Sequence, residues 1–390
     1  MGVIYLDYSA TTPLLPGVKQ EMLRVMALDL GNPSSLHSAG QTAKQLLIEA
    51  RSQVAHLIEA RPLELIFTSG GTESNNTVVR TFEKCPIFVS AIEHPSVLKP
   101  AEIYGSPCIK IPVNQQGTID LGFLQTELEK TLQENPKQKI LVSVMLANNE
   151  VGTIEPVAKI AKLIQALKKQ HHAKIYLHTD ATQAVGKIPV SVKALGVDYL
   201  TFTSHKLGGP IGIAALYVKT AAPFKPLIMG GAQENKRRAG TSNALLASGF
   251  KIAARKAEGN LPKYQEAKKL KQYLQKNLKS KIKSSLIITP QNSLPNILNV
   301  AFPAAEGEST QLYLDLENIE VSTGSACASG DLEPSHVLMA MFHDAEIAHG
   351  SVRFSLGLNN TKSEIDALLK KLPPIVAKIQ DLSTVKQGKS

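Results

Sequence analysis

Short apolar runs alternate with amphipathic segments through the first two thirds of the chain. Apolar runs at 65–67, 87–91 and 140–147 are each followed by polar residues. After the polar residues that follow the last of these runs, the sequence predicts a helix. Its apolar face is formed by Val157, Ile160, Ala161, Ile164 and Leu167. Near-continuous apolar strands separated by such helices predict an α/β fold with a mostly parallel sheet buried on both faces.

Polar clusters come directly after five of the predicted strands. The densest stretch, 178–216, holds Asp180, Gln183, His205 and Lys206 at or just beyond two strand ends. One such cluster alone is typical of a helix cap or a turn. Because ligands bind outside the carboxyl ends of strands in open α/β sheets, five clusters together predict one cleft. Its side chains suit a ligand with a ring nitrogen, a phosphate and an electrophilic carbonyl.

The chain is long enough for one large and one smaller domain. It has 390 residues, of which 43% are hydrophobic. We predict a large domain over 13–258 and a smaller α+β domain formed by 1–12 and 259–390. The Gly-Asn-Leu-Pro sequence at 259–262 is interpreted as a linker between them.

Composition excludes several classes of protein. No apolar run reaches the roughly 18–20 residues of a membrane helix, and the first residues lack a signal-peptide pattern, so we expect a cytoplasmic protein without membrane contact. The formal charge of +10 is concentrated in the Lys-rich segment 263–283, which predicts a solvated helix face and, at most, an acidic protein partner. Few aromatic residues accompany these lysines, so nucleic acid is not expected as a partner.

The three cysteines do not form a metal or disulfide pattern. Cys85, Cys108 and Cys327 are widely spaced, without a CxxC pair or a His at ligand spacing, so we predict no metal site. Cys85 and Cys108 adjoin prolines near apolar strands and are interpreted as packed thiols. Cys327 lies among small residues in STGSACASG, which favours a loop and a reactive role.

The usual nucleotide and zinc-protease motifs are missing, which directs attention to Lys206. The chain contains neither GxxxxGK[ST], nor GxGxxG after a strand, nor HExxH. A Schiff-base lysine requires a carbonyl cofactor, and a pyridine-type cofactor requires a carboxylate against its ring nitrogen. Lys206 and Asp180 supply these two groups at separate strand ends.

Ten sequence blocks in order resemble one family of enzymes. They are LDYSATTP, GNPSSLH, TSGGTESNN, EHPSVL, NNEVGTI, HTDATQAVGK, SHKLGGPIG, GGAQENKRRAGTSN, STGSACASG and SVRFSLG. The chain resembles the cysteine desulfurases of the NifS/IscS-like group, which are class V, fold-type-I pyridoxal-phosphate enzymes. The resemblance implies a large domain with a mostly parallel seven-stranded sheet and a smaller α+β domain.

The resemblance also implies a role for each residue that contacts the cofactor. Lys206 would carry pyridoxal 5'-phosphate covalently, and Asp180 would pair with its ring nitrogen. Gln183 would bind the phenolic oxygen, with Asn149 beside it and the substrate. His94 would stack on the ring and take part in proton transfer.

The resemblance further implies which residues bind the phosphate and that the protein forms a dimer. Gly71 and Thr72 in the glycine-rich turn, together with Thr203 and His205, would bind the phosphate, and a helix N-terminus suits such an anion. Thr241 would reach the site from the neighbouring subunit, which implies a homodimer.

The substrate and the transferred sulfur involve two more residues. Arg353 would bind the substrate carboxylate through a bidentate contact, with a structural ion pair as the alternative. Cys327 would take sulfur from L-cysteine as a persulfide, leaving alanine, and would pass it to an iron–sulfur scaffold or another acceptor.

Two alternatives and two departures accompany this prediction. The alternatives are a selenocysteine lyase or another class V lyase, and a sulfur-assembly binding protein without turnover. Gly208 and Ile211 stand where many relatives have an aromatic residue and a Lys, and QENKRRAG replaces a QERG-type start. These departures bear on acceptor choice and local packing and leave Lys206 and Asp180 in place.

Overall fold

The computed structural model describes residues 2–324 and 333–383. Its β-strands are β1 (Ile4–Tyr5), β2 (Leu65–Thr68), β3 (Ile87–Ser90), β4 (Cys108–Ile111), β5 (Lys139–Ser143), β6 (Lys174–Asp180), β7 (Tyr199–Thr203), β8 (Ala214–Val218), β9 (Leu286–Ile287), β10 (Ile297–Ala301), β11 (Ile319–Glu320) and β12 (Ser351–Ser355). Its α-helices are α1 (Pro16–Met26), α2 (Ser38–His56), α3 (Gly71–Thr81), α4 (Pro95–Tyr104), α5 (Leu121–Glu134), α6 (Val157–His171), α7 (Val192–Leu195), α8 (Gln233–Lys236), α9 (Ala244–Asn260), α10 (Tyr264–Lys281), α11 (Gly307–Leu316), α12 (His336–Phe342), α13 (Ala345–His349) and α14 (Lys362–Leu382).

A seven-stranded sheet with the order β2-β8-β7-β6-β5-β3-β4 forms the centre of the molecule. Strands β4, β3, β5, β6 and β7 run parallel, and β8 is antiparallel to both of its neighbours. Every residue of β2, β3, β7 and β8 is buried, because helices cover both faces. The near-continuous apolar runs of the sequence follow from this burial, and the predicted fold class is confirmed.

Smaller sheets form a second layer beside the large one. Strands β9, β10 and β12 form a three-stranded antiparallel sheet, and β1 pairs in parallel with β11. A separate apolar cluster joins β1, β10 and β12 to α10 and α14. The first residues of the chain therefore pack with its last third, although the domain boundaries given above stay a prediction.

The predicted helix with its apolar face at 157–167 is confirmed, and residues 259–262, interpreted as a linker between the predicted domains, are helical. All five predicted apolar residues of α6 are buried. The proposed linker is helical, since α9 continues to Asn260 and a 3-10 turn, Leu261–Lys263, leads directly into α10. Proline is tolerated at the start of such a turn, where its missing N–H is not required.

The lysines of α10 are solvated except at one position. Most lysines of α10 are exposed, as predicted, but Lys271 is buried and donates through Nζ to Ser293 Oγ at 3.0 Å and to Leu294 O at 2.6 Å. Within 2–324 and 333–383, no helix is long and apolar enough to cross a bilayer.

Candidate active site

A cavity of about 470 Å³ opens at the carboxyl edge of the central sheet. Strands β6 and β7 end at its wall with Asp180 and Thr203, while the turns after β2, β3 and β5 supply residues from three further directions. Ten of the twelve site residues predicted from the sequence line it, namely Gly71, Thr72, His94, Asn149, Asp180, Gln183, Thr203, His205, Lys206 and Arg353. The other two are Thr241 and Cys327.

The N-terminus of α3 forms one end of this cavity. The helix begins at Gly71, and its first N–H groups have no intrahelical acceptor. A Cβ on Gly71 would lie 3.0 Å from Thr203 Cγ2, so the small residue leaves room at the helix end. The buried hydroxyls of Thr182 and Thr203 have no hydrogen-bond partner within the described part of the chain. Unsatisfied hydroxyls beside a helix N-terminus suit a phosphate.

Asp180 lies within a network of hydrogen bonds in the wall of the cavity. Its Oδ2 accepts from Asn75 Nδ2 at 2.7 Å, and its Oδ1 accepts from the backbone N–H of Thr182 at 2.9 Å. Asn75 Nδ2 also donates to Ser96 Oγ at 2.9 Å. The network fixes the Asp180 carboxylate at the end of β6, where it can accept a hydrogen bond from a protonated ring nitrogen.

His94 caps α4, and this cap determines where its proton resides. The backbone N–H of Ser96 donates to His94 Nδ1 at 3.1 Å, and Ser96 Oγ lies 2.7 Å from the same atom. Because Nδ1 accepts, a neutral imidazole carries its proton on Nε2. Burial lowers the pKa of His94, the Asp180 charge opposes this shift, and the Lys206 charge adds to it. The ring is therefore neutral at neutral pH.

Lys206 lies in the 3-10 turn that follows β7 and points toward the N-terminal segment. Its Nζ donates to the carbonyl oxygens of Ser9 and Ala10. Gln183 Nε2 donates to the same Ser9 oxygen at 2.9 Å. His205 Nδ1 lies 3.1 Å from Thr11 Oγ1, and burial together with the nearby Lys206 charge lowers its pKa to about 4.

Arg353 is held in β12 by partners on two sides. Its Nη1 donates to Asn149 O at 3.0 Å, and its Nη2 donates to Asp7 Oδ1 at 2.8 Å. The ion-pair alternative raised for Arg353 is thus present in the structure, and the same guanidinium also lines the cavity. The buried Nε atom has no hydrogen-bond partner within the described residues.

Of the remaining two predicted residues, one lies elsewhere in the fold and the other lies outside the described residues. Thr241 lines a separate cavity of about 210 Å³ together with Ser69 and Arg238. Cys327 lies outside the described residues. Glu150 is a buried residue next to Asn149. It accepts a hydrogen bond from Ser335 Oγ at 2.5 Å, and Ser335 follows the undescribed residues 325–332 in the chain. Burial raises the pKa of Glu150 to about 7.

Several residues of the site were not singled out from the sequence. Asp7, Ser9, Asn75 and Ser96 all line the cavity and bond to predicted residues. Their only sequence signal was membership of the blocks LDYSATTP, TSGGTESNN and EHPSVL. Nothing in the local pattern indicates which segment each residue meets in the fold.

Known proteins resemble this chain over nearly its whole length. The sequence profile of the family "Aminotransferase class-V" matches residues 4–368. Cysteine desulfurase IscS from Dictyoglomus turgidum is 42% identical over 395 residues, covering 98% of this chain and 97% of the relative. Cysteine desulfurase NifS from Azotobacter vinelandii is 38% identical over 399 residues, covering 100% of this chain and 96% of the relative.

A solved structure shows the same architecture. The X-ray structure of a NifS-like protein from Rickettsia africae superposes with a TM-score of 0.87 at 36% identity, covering 96% of this chain and 99% of the other. The agreement extends over both the large sheet and the smaller layer, because so little of either chain is left unmatched.

Proposed function

The chain belongs to the aminotransferase class-V family and to its cysteine desulfurase group, and we propose that it removes sulfur from L-cysteine. The products are L-alanine and a persulfide on Cys327, from which sulfur passes to an acceptor. The convergence of Lys206, Asp180 and the α3 N-terminus in one cavity carries this proposal.

Pyridoxal 5'-phosphate is the cofactor of this family, and the residues present fit it. The helix N-terminus with the unpartnered hydroxyls of Thr182 and Thr203, assessed within 2–324 and 333–383, suits the phosphate, and Asp180 suits the ring nitrogen. When bound, the cofactor supplies an electron sink for the Cα carbon of the substrate. Lys206 would hold it covalently, with Gly71, Thr72 and His205 near the phosphate.

Two residues orient the cofactor and control its charge. The Asp180 carboxylate, fixed by Asn75 and the Thr182 N–H, would hold a proton on the ring nitrogen. Gln183 would donate to the phenolic oxygen, because its Nε2 faces the Lys206 side of the cavity. Each group is fixed in advance, which avoids reorganisation during the reaction.

Two further residues select and handle the amino-acid substrate. Arg353 would bind the carboxylate beside Asn149, where a planar guanidinium gives a directed, charge-assisted contact. His94 would cover the ring face, with its neutral imidazole offering the Nε2 proton to the reacting groups.

Cys327 would accept the sulfur as a thiolate. A sulfur–sulfur bond forms between Cys327 and the substrate, and the carbon–sulfur bond of L-cysteine breaks with its electron pair left on carbon. A proton completes alanine, so the reaction is balanced without an added oxidant or reductant. An iron–sulfur scaffold or another sulfur-acceptor protein would then receive the sulfur.

We propose a homodimer in which Thr241 completes the partner's site. Thr241 lies outside its own chain's cavity, in a part of the chain that also carries Ile211 and Met229, which are 73% and 71% exposed. Exposed apolar side chains of this size favour an interface. A cytoplasmic location is proposed because Cys85 and Cys108 are both free thiols, as expected in a reducing compartment.

The decisive experiment quantifies alanine released from L-cysteine in the presence of a thiol reductant. Wild type, Cys327→Ala and the matched control Cys108→Ala are compared, with visible absorbance recorded for each. We expect alanine from wild type and from Cys108→Ala, and little from Cys327→Ala. Burial raises the pKa of the Cys108 thiol, so its loss should not affect turnover.

Two outcomes would contradict the proposal. A wild-type protein that shows the visible band of the cofactor but releases no alanine would indicate another substrate, such as selenocysteine. A protein that binds no cofactor would indicate a sulfur-assembly binding role without turnover.

A further inference from the structure

Lys187 is a buried ammonium for which the proposed mechanism has no role. Only 3% of the residue is exposed. Its Nζ donates to Gln183 Oε1 at 3.0 Å and to Gln183 O at 3.1 Å. No carboxylate within the described residues forms an ion pair with it. Burial of an amino group without a counter-ion is costly, so the presence of a lysine at this position requires an explanation.

Two contacts, one with Lys187 and one with the Ser9 carbonyl, determine the orientation of the Gln183 amide. An ammonium group can only donate, so it must face the amide oxygen, Oε1. The amide nitrogen, Nε2, is thereby directed to Ser9 O, at 2.9 Å, where Lys206 Nζ also donates. The N–H donors of Gln183 are therefore held on the Lys206 side of the site.

The charge of Lys187 also reaches the groups around Lys206. Burial lowers the pKa of Lys187 to about 7, with the charges of Lys206 and Arg353 contributing to the same shift. The Lys187 charge is likewise one cause of the lowered pKa of His205. In its protonated form, which predominates below about pH 7, Lys187 thus adds positive potential on the side of the cavity that faces Gln183.

We propose that Lys187 is a positioning residue that fixes the Gln183 amide with its N–H donors toward Lys206 and places a positive charge behind the cofactor's phenolic oxygen. This inference rests on the proposed function, since it requires pyridoxal phosphate on Lys206. Lys187 itself lies outside the residues that line the cavity.

Removal of this ammonium has a predictable effect on protonation at Lys206. A nearby cation and a donor to the phenolic oxygen both disfavour a proton on the cofactor-linked nitrogen of Lys206. Without Lys187, the amide keeps its contact with Ser9 O but loses the donor to Oε1 that also orients it, and the positive potential falls. The pH midpoint of the holoenzyme's visible absorbance change should therefore move upward, by on the order of 1 unit.

The test compares this spectral midpoint in holoenzymes of wild type, Lys187→Met, Lys187→Arg and Lys271→Met. Lys271 is a matched control, because it is also buried and bonds to a hydroxyl and a carbonyl oxygen away from the cavity. We expect an upward shift for Lys187→Met, a midpoint close to wild type for Lys187→Arg, and no shift for Lys271→Met. A purely structural role would lower the melting temperature of both Met variants and leave the midpoint unchanged.

Lys187→Gln serves where the Met variant does not fold. It keeps a donor for Gln183 but removes the charge, so it should give a smaller upward shift. A folded, cofactor-loaded neutral variant with the wild-type midpoint would overturn the inference. A wild-type protein without a visible band would instead count against the proposed function.

Discussion

Arg353 donates through Nη2 to Asp7 Oδ1 at 2.8 Å inside the candidate active site. The pair joins β12 to the segment that follows β1, and the same guanidinium donates through Nη1 to Asn149 O. Arg353 is therefore held from two directions before any substrate arrives. A substrate carboxylate would approach an oriented guanidinium whose charge is partly offset by Asp7.

This geometry predicts that Arg353→Lys damages substrate binding more than the chemical step. A lysine cannot contact Asp7, Asn149 O and a substrate carboxylate through one planar group. We expect KM for L-cysteine to rise by about 10-fold or more, since a charge-assisted contact of roughly 1.5–3 kcal/mol is lost, with a smaller change in kcat. Steady-state alanine production measures both constants.

Asp7→Asn is the matched control for this prediction. It keeps an oxygen acceptor for Nη2 but removes the negative charge, so KM should fall or stay unchanged. An increase in KM for Asp7→Asn equal to that for Arg353→Lys would show that the pair is structural and that Arg353 does not bind the substrate.

The acid limb of the pH profile should report the neutral imidazole of His94. Burial lowers its pKa, so the protonated form accumulates only below the ordinary His value of about 6.5. We expect kcat/KM for L-cysteine to fall with decreasing pH only in that region. His56→Gln, at an exposed surface histidine, should leave the limb unchanged.

Glu150 is the alternative titrating group that could produce a limb in the pH profile. Burial raises its pKa to about 7, and it follows Asn149 in the chain. An acid or basic limb near this pH that disappears in Glu150→Gln would assign the profile to this carboxyl and not to His94.

Hybrid dimers can test whether Thr241 acts on the neighbouring subunit. Lys206→Ala removes the cofactor attachment, and Thr241→Glu places a negative charge near the proposed phosphate. If Thr241 acts across the interface, a hybrid of the two variants contains one site with Lys206 and Thr241 both intact. We expect alanine production by the hybrid and none by either parent. Activity in the parent Thr241→Glu, or an inactive folded hybrid, would contradict the shared site.

Glu155 should make the folded protein less stable as the pH rises. Its side chain is buried, Oε1 has no partner within the described residues, and burial raises its pKa to about 8. The folded state therefore keeps a proton that the unfolded chain releases near the ordinary value of 4.5, and this contribution to stability is lost between that pH and about 8.

Glu155→Gln removes that titration. The free energy of unfolding of this variant, relative to wild type, should increase from about pH 5 to about pH 8 in urea unfolding experiments. Glu134→Gln, at an exposed position, is the control and should show no such trend. A difference between Glu155→Gln and wild type that does not vary with pH would mean that Glu155 titrates normally.

The sequence predicted the site residues whose position depends on strand order. It did not predict the contacts between segments that are far apart in the chain. Asp180, Thr203 and Lys206 follow apolar runs directly, so their placement at one sheet edge follows from the α/β pattern. The contact between Asn75 and Ser96 depends on how α3 and α4 pack, which no local pattern records. The burial of Lys271 has the same origin, since its partners lie 22 and 23 residues away in the chain.

Gly208 departs from the family pattern, and the local backbone requires a glycine at this position. It has a φ of +77° at the end of the 3-10 turn carrying Lys206, and a Cβ there would lie 2.5 Å from Leu15 Cγ. We expect Gly208→Ala to destabilise the protein by roughly 1–3 kcal/mol, because alanine rarely adopts this conformation and Leu15 must also move.

The matched substitution Gly259→Ala should have the opposite sign. Gly259 lies in α9, and a Cβ added there would meet no atom within 4 Å beyond its own helix, so alanine should stabilise the protein by about 0.5–1 kcal/mol. Urea unfolding of both variants gives the comparison. Gly208→Ala at wild-type stability would mean that the turn can relax, and an aromatic residue at 208, as in many relatives, would then be compatible with this backbone.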